Sequence, residues 1–318
     1  LVHLGSRAVG GAGLVFTEAT AVSAAGRISP GDLGIYHDAH IDRLREITRF
    51  IHEHGAVAGI QLAHAGFKAS TSPPWAGGNP LTVDQGGWRP IYSSGAAPFK
   101  DGWIVPHALT PAEISVVIAE FVRAAERAIE AGFGVIEIHA AHGYLLHEFL
   151  SPISNRRTDS YGGSFENRIQ MLCDLVKAMR LTIPQVMPLI VRISATDWIE
   201  GGWTGEDSVK LARILKTLGV DLIDCSSGGI SPAAKIPLAP GYQVPFARAV
   251  RTEAAISTGA VGLITQAHQA QEIISSGAAD IVLLARELLR QPYWPLLAAA
   301  ELRQTITWPQ QYERAKPA

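Results

Sequence analysis

The sequence predicts an α/β protein, a (β/α)8 TIM barrel in one domain spanning residues 1–318. Three observations point there. Strand-length apolar segments alternate along the chain with segments whose apolar residues recur at helical spacing. The strand segments are near-continuous apolar runs, as expected of parallel strands covered on both faces. Polar and titratable residues gather where several of these runs end, and barrels build their sites at the carboxyl ends of their strands. The count is seven strand segments, one short of eight, and the chain opens at Leu1 in a helical pattern. A first strand preceding Leu1 would explain both, so that strand is expected to be missing from this chain. A doubly wound sheet is the alternative, but no Gly-x-Gly-x-x-Gly follows any of the strand segments.

Taken in order, Leu1 to Val9 suits a helix, and Gly10-Gly11 breaks it before the β-branched and aromatic run Ala12–Val22. Ile41, Leu44, Ile47 and Ile51 mark a helix over Asp38–His54, and Ala56–His64 returns to strand. Residues 67–109 are rich in Gly, Pro, Ser and Trp without period, too long for a simple connector, and read as a lid or binding loop. Thr110-Pro-Ala-Glu113 is a capping box with proline at the first helical position, starting a helix to Ala131 that feeds the strand from Gly134. Ser164 caps a helix over Phe165–Leu181. Then follow strand Met187–Ser194, helix Gly205–Leu218, strand Val220–Ser226, helix Val244–Ser257, strand Val261–Thr265, helix Gln269–Ser275, strand Asp280–Leu284 and helix Glu287–Ala299.

The balance of 47% hydrophobic and 18% charged residues is that of a globular protein able to bury a sizeable core. A formal charge of −2 offers no basic footprint for nucleic acid and no polybasic membrane patch. No apolar run approaches the roughly 18 residues of a membrane span. Only Cys173 and Cys225 occur, both in apolar segments, which argues for a reducing compartment and a cytoplasmic location. A small-molecule enzyme fits these constraints.

The chemistry centres on Gly134–Pro152, where an apolar strand ends in titratable side chains. Val135, Glu137 and His139 share one strand face and Ile136 and Ile138 the other; His142 and Tyr144 follow around a glycine, so three polar groups can converge on a small substrate. Gln61 lies within an apolar strand and must meet either a core polar group or a ligand. Arg192, in Leu189-Ile-Val-Arg-Ile193, demands an anionic partner, which is either Glu137 on the neighbouring strand or a ligand. The turns after the last two strands, with Ala285-Arg286 in the second, lead straight into helices and suit a phosphate. His139, His142 and His147 could bring two imidazoles together, yet no Asp or Cys cluster completes a coordination set, so no metal is expected. His64 falls on the opposite parity from Gln61, and His54, His107 and His268 sit at helix or loop edges as solvated histidines.

At these residues the sequence resembles the Old Yellow Enzyme family of FMN-dependent ene-reductases, in particular its bacterial NADPH dehydrogenases and xenobiotic reductases. The likeness covers nearly the whole chain. It rests on His3–Gly13, Gln61-Leu-Ala-His-Ala-Gly66, Glu137–Leu145 continuing to Ser151-Pro152, Asn155–Gly163 and Glu166-Asn-Arg168. The resemblance implies FMN as cofactor, with Ala19 and Gln61 at the flavin ring, Arg192 at its N1/O2 edge and Ala285 and Arg286 at its phosphate. It implies NADPH as hydride donor and an activated alkene as substrate, whose carbonyl oxygen His139 and His142 bind while Tyr144 donates the proton. It also implies a homodimer or homotetramer in which Arg314, within Gln311-Tyr-Glu-Arg314, reaches a neighbouring subunit's site. A cation at the N1/O2 edge stabilises negative charge on the reduced ring, and paired donors stabilise enolate charge. Three departures stand out: Phe67 where the family usually has Arg, Ala285 for a frequent glycine, and no counterpart of the family's first strand. The alternative reading is a catalytically inactive or fragmentary barrel that does not bind flavin.

Overall fold

A computed structural model describes residues 1–317. Seven parallel strands form one curled sheet with helices along its outside: β1 (Leu14–Ala21), β2 (Val57–Ala63), β5 (Val135–Ala140), β6 (Leu189–Ser194), β7 (Leu222–Ser226), β8 (Ser257–Ala260) and β9 (Ile281–Val282), in that spatial order. Each strand pairs with the next of the series, the pattern of a TIM barrel in which every crossover carries helix. The outermost strands, β1 and β9, pair on one side only. Two-residue strands β3 (Tyr92–Ser93) and β4 (His107–Ala108) pair with each other within the long loop. The helices are α1 (Val2–Val9), α2 (Ile41–Glu53), α3 (Pro111–Glu130), α4 (Leu145–Leu150), α5 (Phe165–Thr182), α6 (Gly205–Thr217), α7 (Val244–Ala254), α8 (Ala267–Ser275), α9 (Arg286–Arg290) and α10 (Trp294–Glu301).

Strand parity sorts the sheet. Ile60, Ile136, Ile138, Val191, Ile193, Ile223 and Cys225 are buried in one apolar cluster with Phe121 of α3, Leu172 and Val176 of α5, and Leu211 and Leu215 of α6. The other parity carries the polar series. Gln61 is in register with Glu137, and His139 with Arg192 and then Asp224. Burying the first set against helices thus turns the second toward the barrel axis.

Helix starts follow the sequence closely. Thr110 Oγ1 accepts the Glu113 N–H at 3.3 Å while the Glu113 carboxylate accepts the Thr110 N–H at 2.8 Å, closing the capping box of α3. Ser164 Oγ likewise accepts the Asn167 N–H at 3.3 Å. Two elements near the carboxyl end differ from expectation. Helix α7 stops at Ala254 because Ala255 takes a left-handed conformation, φ +53° and ψ +43°. The strand therefore runs over Ser257–Ala260, and Val261–Thr265 lies beyond it, lining a cleft. The helix expected over Glu287–Ala299 is divided into α9 and α10, with Pro292 between them and Pro295 in the first turn of α10. The long loop is tied down: the Glu148 carboxylate of α4 accepts the N–H groups of Phe67 at 2.9 Å and Ser94 at 3.2 Å, as well as the Ser93 hydroxyl. Both cysteines are buried and free. Among the described residues no helix is long and apolar enough to cross a membrane.

Candidate active site

Strand β5 ends at Ala140, and a tight turn carries the chain into α4. His142 and Gly143 both occupy left-handed backbone, φ +59° and +72°. For a residue with a side chain that conformation costs roughly 1–2 kcal/mol and persists only where the surroundings impose it. They do so here from several sides. The His142 N–H donates to Ser194 Oγ at 2.9 Å, the Gly143 N–H to His147 Nδ1 at 2.9 Å and the Tyr144 N–H to the Ala141 carbonyl at 3.1 Å; Lys68 Nζ donates to the His142 carbonyl at 2.8 Å. A Cβ on Gly143 would lie 2.2 Å from the Gly229 carbonyl oxygen, so only glycine fits.

This turn brings the sequence-predicted histidines together. His139 Nδ1 accepts the Ala141 N–H at 3.2 Å, so its ring proton sits on Nε2. That nitrogen lies 3.3 Å from His142 Nδ1, and His142 Nε2 lies 2.6 Å from Ser226 Oγ. Burial first, and the Arg192 charge second, hold both imidazoles well below the ordinary histidine value, so both are neutral at pH 7. The His139 Nε2–H therefore donates to His142 Nδ1, and the His142 proton on Nε2 meets Ser226 Oγ, which in turn donates to Gln243 Oε1 at 3.4 Å. The two facing nitrogens converge on one region, and a single oxygen lodged there can take an N–H from each ring once the His142 proton moves to Nδ1. Tyr144 stands perpendicular to His139 with ring centres 4.9 Å apart.

On the strands beside His139, and in register with it, stand charged groups. Arg192 Nε is 2.9 Å from Asp224 Oδ2, so the guanidinium's protein partner is the in-register Asp224; Glu137, one of the two partners the sequence left open, accepts the Gln61 Nε2–H at 2.6 Å. Burial opposes charge on Arg192, but Asp224 and Glu137 outweigh it and hold the guanidinium above its ordinary value. Burial, then the Asp224 charge, pushes the Glu137 carboxyl up to about 8. Sequence reasoning named Arg192 but passed over Asp224, Ser226 and Lys68. An aspartate inside the apolar strand Leu222–Ser226 carries the same signal that singled out Arg192.

Two clefts open among the site residues. The larger, of about 740 Å³, is lined by Arg192, Ser226 and Gln243 and by Ala285 and Arg286, the last at the start of α9. The smaller, of about 200 Å³, is shared by Ala19 and Tyr144. A register shift between Phe16 and Ala19 places Ala19 opposite Gln61. Arg314, exposed on the turn Gln310–Ala315, lines neither. His64, on the opposite parity from Gln61, is buried, its Nδ1 accepting the Gly66 N–H at 3.1 Å. His54 and His107 lie at exposed edges as read, the first stacked on Phe50 and the second 3.0 Å from Glu113. No group of three metal-ligating side chains converges among the described residues.

FMN fits these residues. Arg192 Nε and Asp224 Oδ2, 2.9 Å apart, form an ion pair without good hydrogen-bond geometry, and Arg192 lines the same cleft as Arg286, so cations are available there for a flavin ring edge and for a phosphate. Fold and site together define a barrel oxidoreductase of the FMN-dependent class. The chain belongs to the NADH:flavin oxidoreductase / NADH oxidase family, whose profile matches residues 1–305. It is 52% identical over 313 residues to an NADPH dehydrogenase of Geobacillus sp. (strain WCH70), covering 98% of this chain and 86% of that one. Among solved structures, a 2-naphthoyl-CoA reductase in complex with 2-naphthoyl-CoA superposes with TM-score 0.83 at 26% identity; 95% of this chain is covered, but it spans only 46% of that protein. An old yellow enzyme homologue from Zymomonas mobilis superposes with TM-score 0.78 at 24% identity, over all of this chain and 90% of that one, a likeness of fold.

Proposed function

We propose that the protein is an NADPH dehydrogenase of the ene-reductase type, reducing the C=C bond of activated alkenes such as α,β-unsaturated carbonyls and nitro compounds. It works in the cytoplasm as a homodimer or homotetramer. The observation that carries this reading is the pair of neutral imidazoles, His139 Nε2 and His142 Nδ1 3.3 Å apart, set beside Tyr144 on a strand where His139 is in register with Arg192. The chemistry FMN supplies when bound is hydride transfer, taken from NADPH and given to the electron-poor carbon of the alkene. The chain's own groups do the rest. His139 and His142 hold the carbonyl or nitro oxygen and polarise the double bond, as paired donors do in an oxyanion hole. Tyr144 holds the proton destined for the α-carbon. Arg192 places positive charge where the ring edge gathers negative charge, Gln61 and Ala19 border the ring, and Ala285 and Arg286 hold the phosphate. In the assembly Arg314 is the residue that reaches the substrate side of a neighbouring subunit.

The purified protein should be yellow, bleach on anaerobic addition of NADPH and regain its colour with cyclohexenone. Bleaching without recovery by any activated alkene would defeat the substrate assignment. A colourless protein that takes up no added FMN would defeat the cofactor assignment.

A further inference from the structure

The third histidine of the central stretch has no part in the chemistry above, yet His147 and Asp197 are 1% and 0% exposed, as deeply buried as the site itself. His147 Nδ1 accepts the Gly143 N–H at 2.9 Å, which places the ring proton on Nε2, and Nε2 lies 3.0 Å from Asp197 Oδ1. Asp197 is fixed in turn by the Ser151 hydroxyl at 2.6 Å and the Trp203 N–H at 2.7 Å, both on Oδ2. Its burial opposes the charge, but these donors outweigh it and keep the carboxyl below its ordinary value. Every polar atom of the relay is thereby used, and its direction is fixed: donors converge on Asp197, Asp197 orients His147, and His147 presents a lone pair to one peptide N–H.

That peptide matters because of its neighbours. Gly143 joins His142 to Tyr144, and both His142 and Gly143 are left-handed. A small rotation at this position swings the imidazole and the phenol in different directions. We propose that His147, oriented by Asp197, is a positioning residue that pins the Gly143 peptide and so aims His142 at the substrate oxygen and Tyr144 at the carbon to be protonated. The inference rests on the roles proposed above for His142 and Tyr144.

Isosteric variants separate positioning from mere filling of the core. His147→Asn puts an amide oxygen close to where Nδ1 stood and keeps an acceptor for Gly143. His147→Gln reaches instead toward the Nε2 position, keeping the Asp197 contact but losing that acceptor. Asp197→Asn conserves volume, yet an amide N–H facing Nε2 moves the ring proton to Nδ1, where it opposes the Gly143 N–H. The readouts are FMN content, thermal unfolding, and the affinity of the oxidised holoenzyme for 4-hydroxybenzaldehyde, whose phenolate oxygen seeks the same two donors, followed by visible absorbance.

FMN content should stay at the wild-type level in all three. His147→Gln and Asp197→Asn should bind the probe about tenfold more weakly, a loss of about 1.4 kcal/mol and the size of one buried hydrogen bond, while His147→Asn stays within about threefold of wild type. Equal weakening in the Asn and Gln variants of His147, or wild-type affinity in His147→Gln, would overturn the proposal. Should the His147 variants not fold, Asp197→Asn decides: wild-type affinity there overturns it. A wild-type protein that neither binds the probe nor reduces cyclohexenone overturns the proposed function instead.

Discussion

Tyr144 holds its proton more firmly than a solvated tyrosine, since burial first and Asp32 second push the phenol up to about 12. Such a group stays protonated across the working pH range and gives its proton only to a strongly basic centre such as an enolate carbon. Tyr144→Phe should therefore slow alkene reduction by roughly 10²–10⁴-fold and leave flavin reduction by NADPH near wild type, because general-acid help is needed only in the second half-reaction. Stopped-flow measurement of each half-reaction checks this, and an equal fall in both would make the role of Tyr144 structural. Much at this scale was legible. Strand parity alone places Glu137 and His139 on one face, and a charge or amide inside an apolar run marks Gln61 and Arg192. Their pairing was not legible, because it depends on the register between strands far apart in sequence. Arg192 meets Asp224, and Gln61 meets Glu137, through offsets that the sequence of a single strand does not encode.

Among the elements, those with a local chemical signal were read correctly and those set by backbone strain were not. Thr110 with Glu113 announces the start of α3 whatever surrounds it. The end of α7 carries no such signal, because the left-handed residue that stops it is an alanine rather than a glycine. Strand β8, Ser-Thr-Gly-Ala, is also poor in strand formers; at Gly259 the Leu283 side chain packs close, and its Cδ1 would stand 2.5 Å from an added Cβ. The more apolar Val261–Thr265 attracts the assignment instead. Ala255 is exposed, so its strain can be relieved without disturbing packing. Ala255→Gly should stabilise the fold by about 0.5–1 kcal/mol, the left-handed penalty less the extra entropy glycine loses on folding. Urea unfolding measures this, and a less stable variant would show that the helix ends differently in solution.

For the whole molecule, the polar interior built by strand parity makes stability depend on pH in a way no surface count would give. Burial lowers His64 to about 4 and holds His139 and His142 well below their ordinary value. The unfolded chain takes up protons on these imidazoles near pH 6.5 that the folded chain refuses, so their contribution grows as pH rises to about 6.5 and is then complete. The buried carboxyls act in the opposite sense. Glu137 and Glu148 are each pushed up to about 8, chiefly by burial, so the folded chain keeps protons that the unfolded chain releases near 4.5. Their contribution is full at low pH and drains away as pH rises toward 8. Between pH 6.5 and about 7.5 the carboxyl effect dominates, so the thermal midpoint should fall across that window; nearer pH 8 Lys68, lowered to about 8 by burial, begins to lose its proton in the folded chain and offsets the fall. Glu137→Gln should make the fall shallower, because it substitutes a neutral group for a carboxyl whose Oε2 has no partner and which burial and the Asp224 charge push up. Thermal unfolding of both proteins at half-unit steps from pH 6 to 8.5 provides the test. A wild-type midpoint that climbs steadily between pH 6.5 and about 7.5 would mean that the Glu137–Arg192–Asp224 set is fully ionised in the folded barrel.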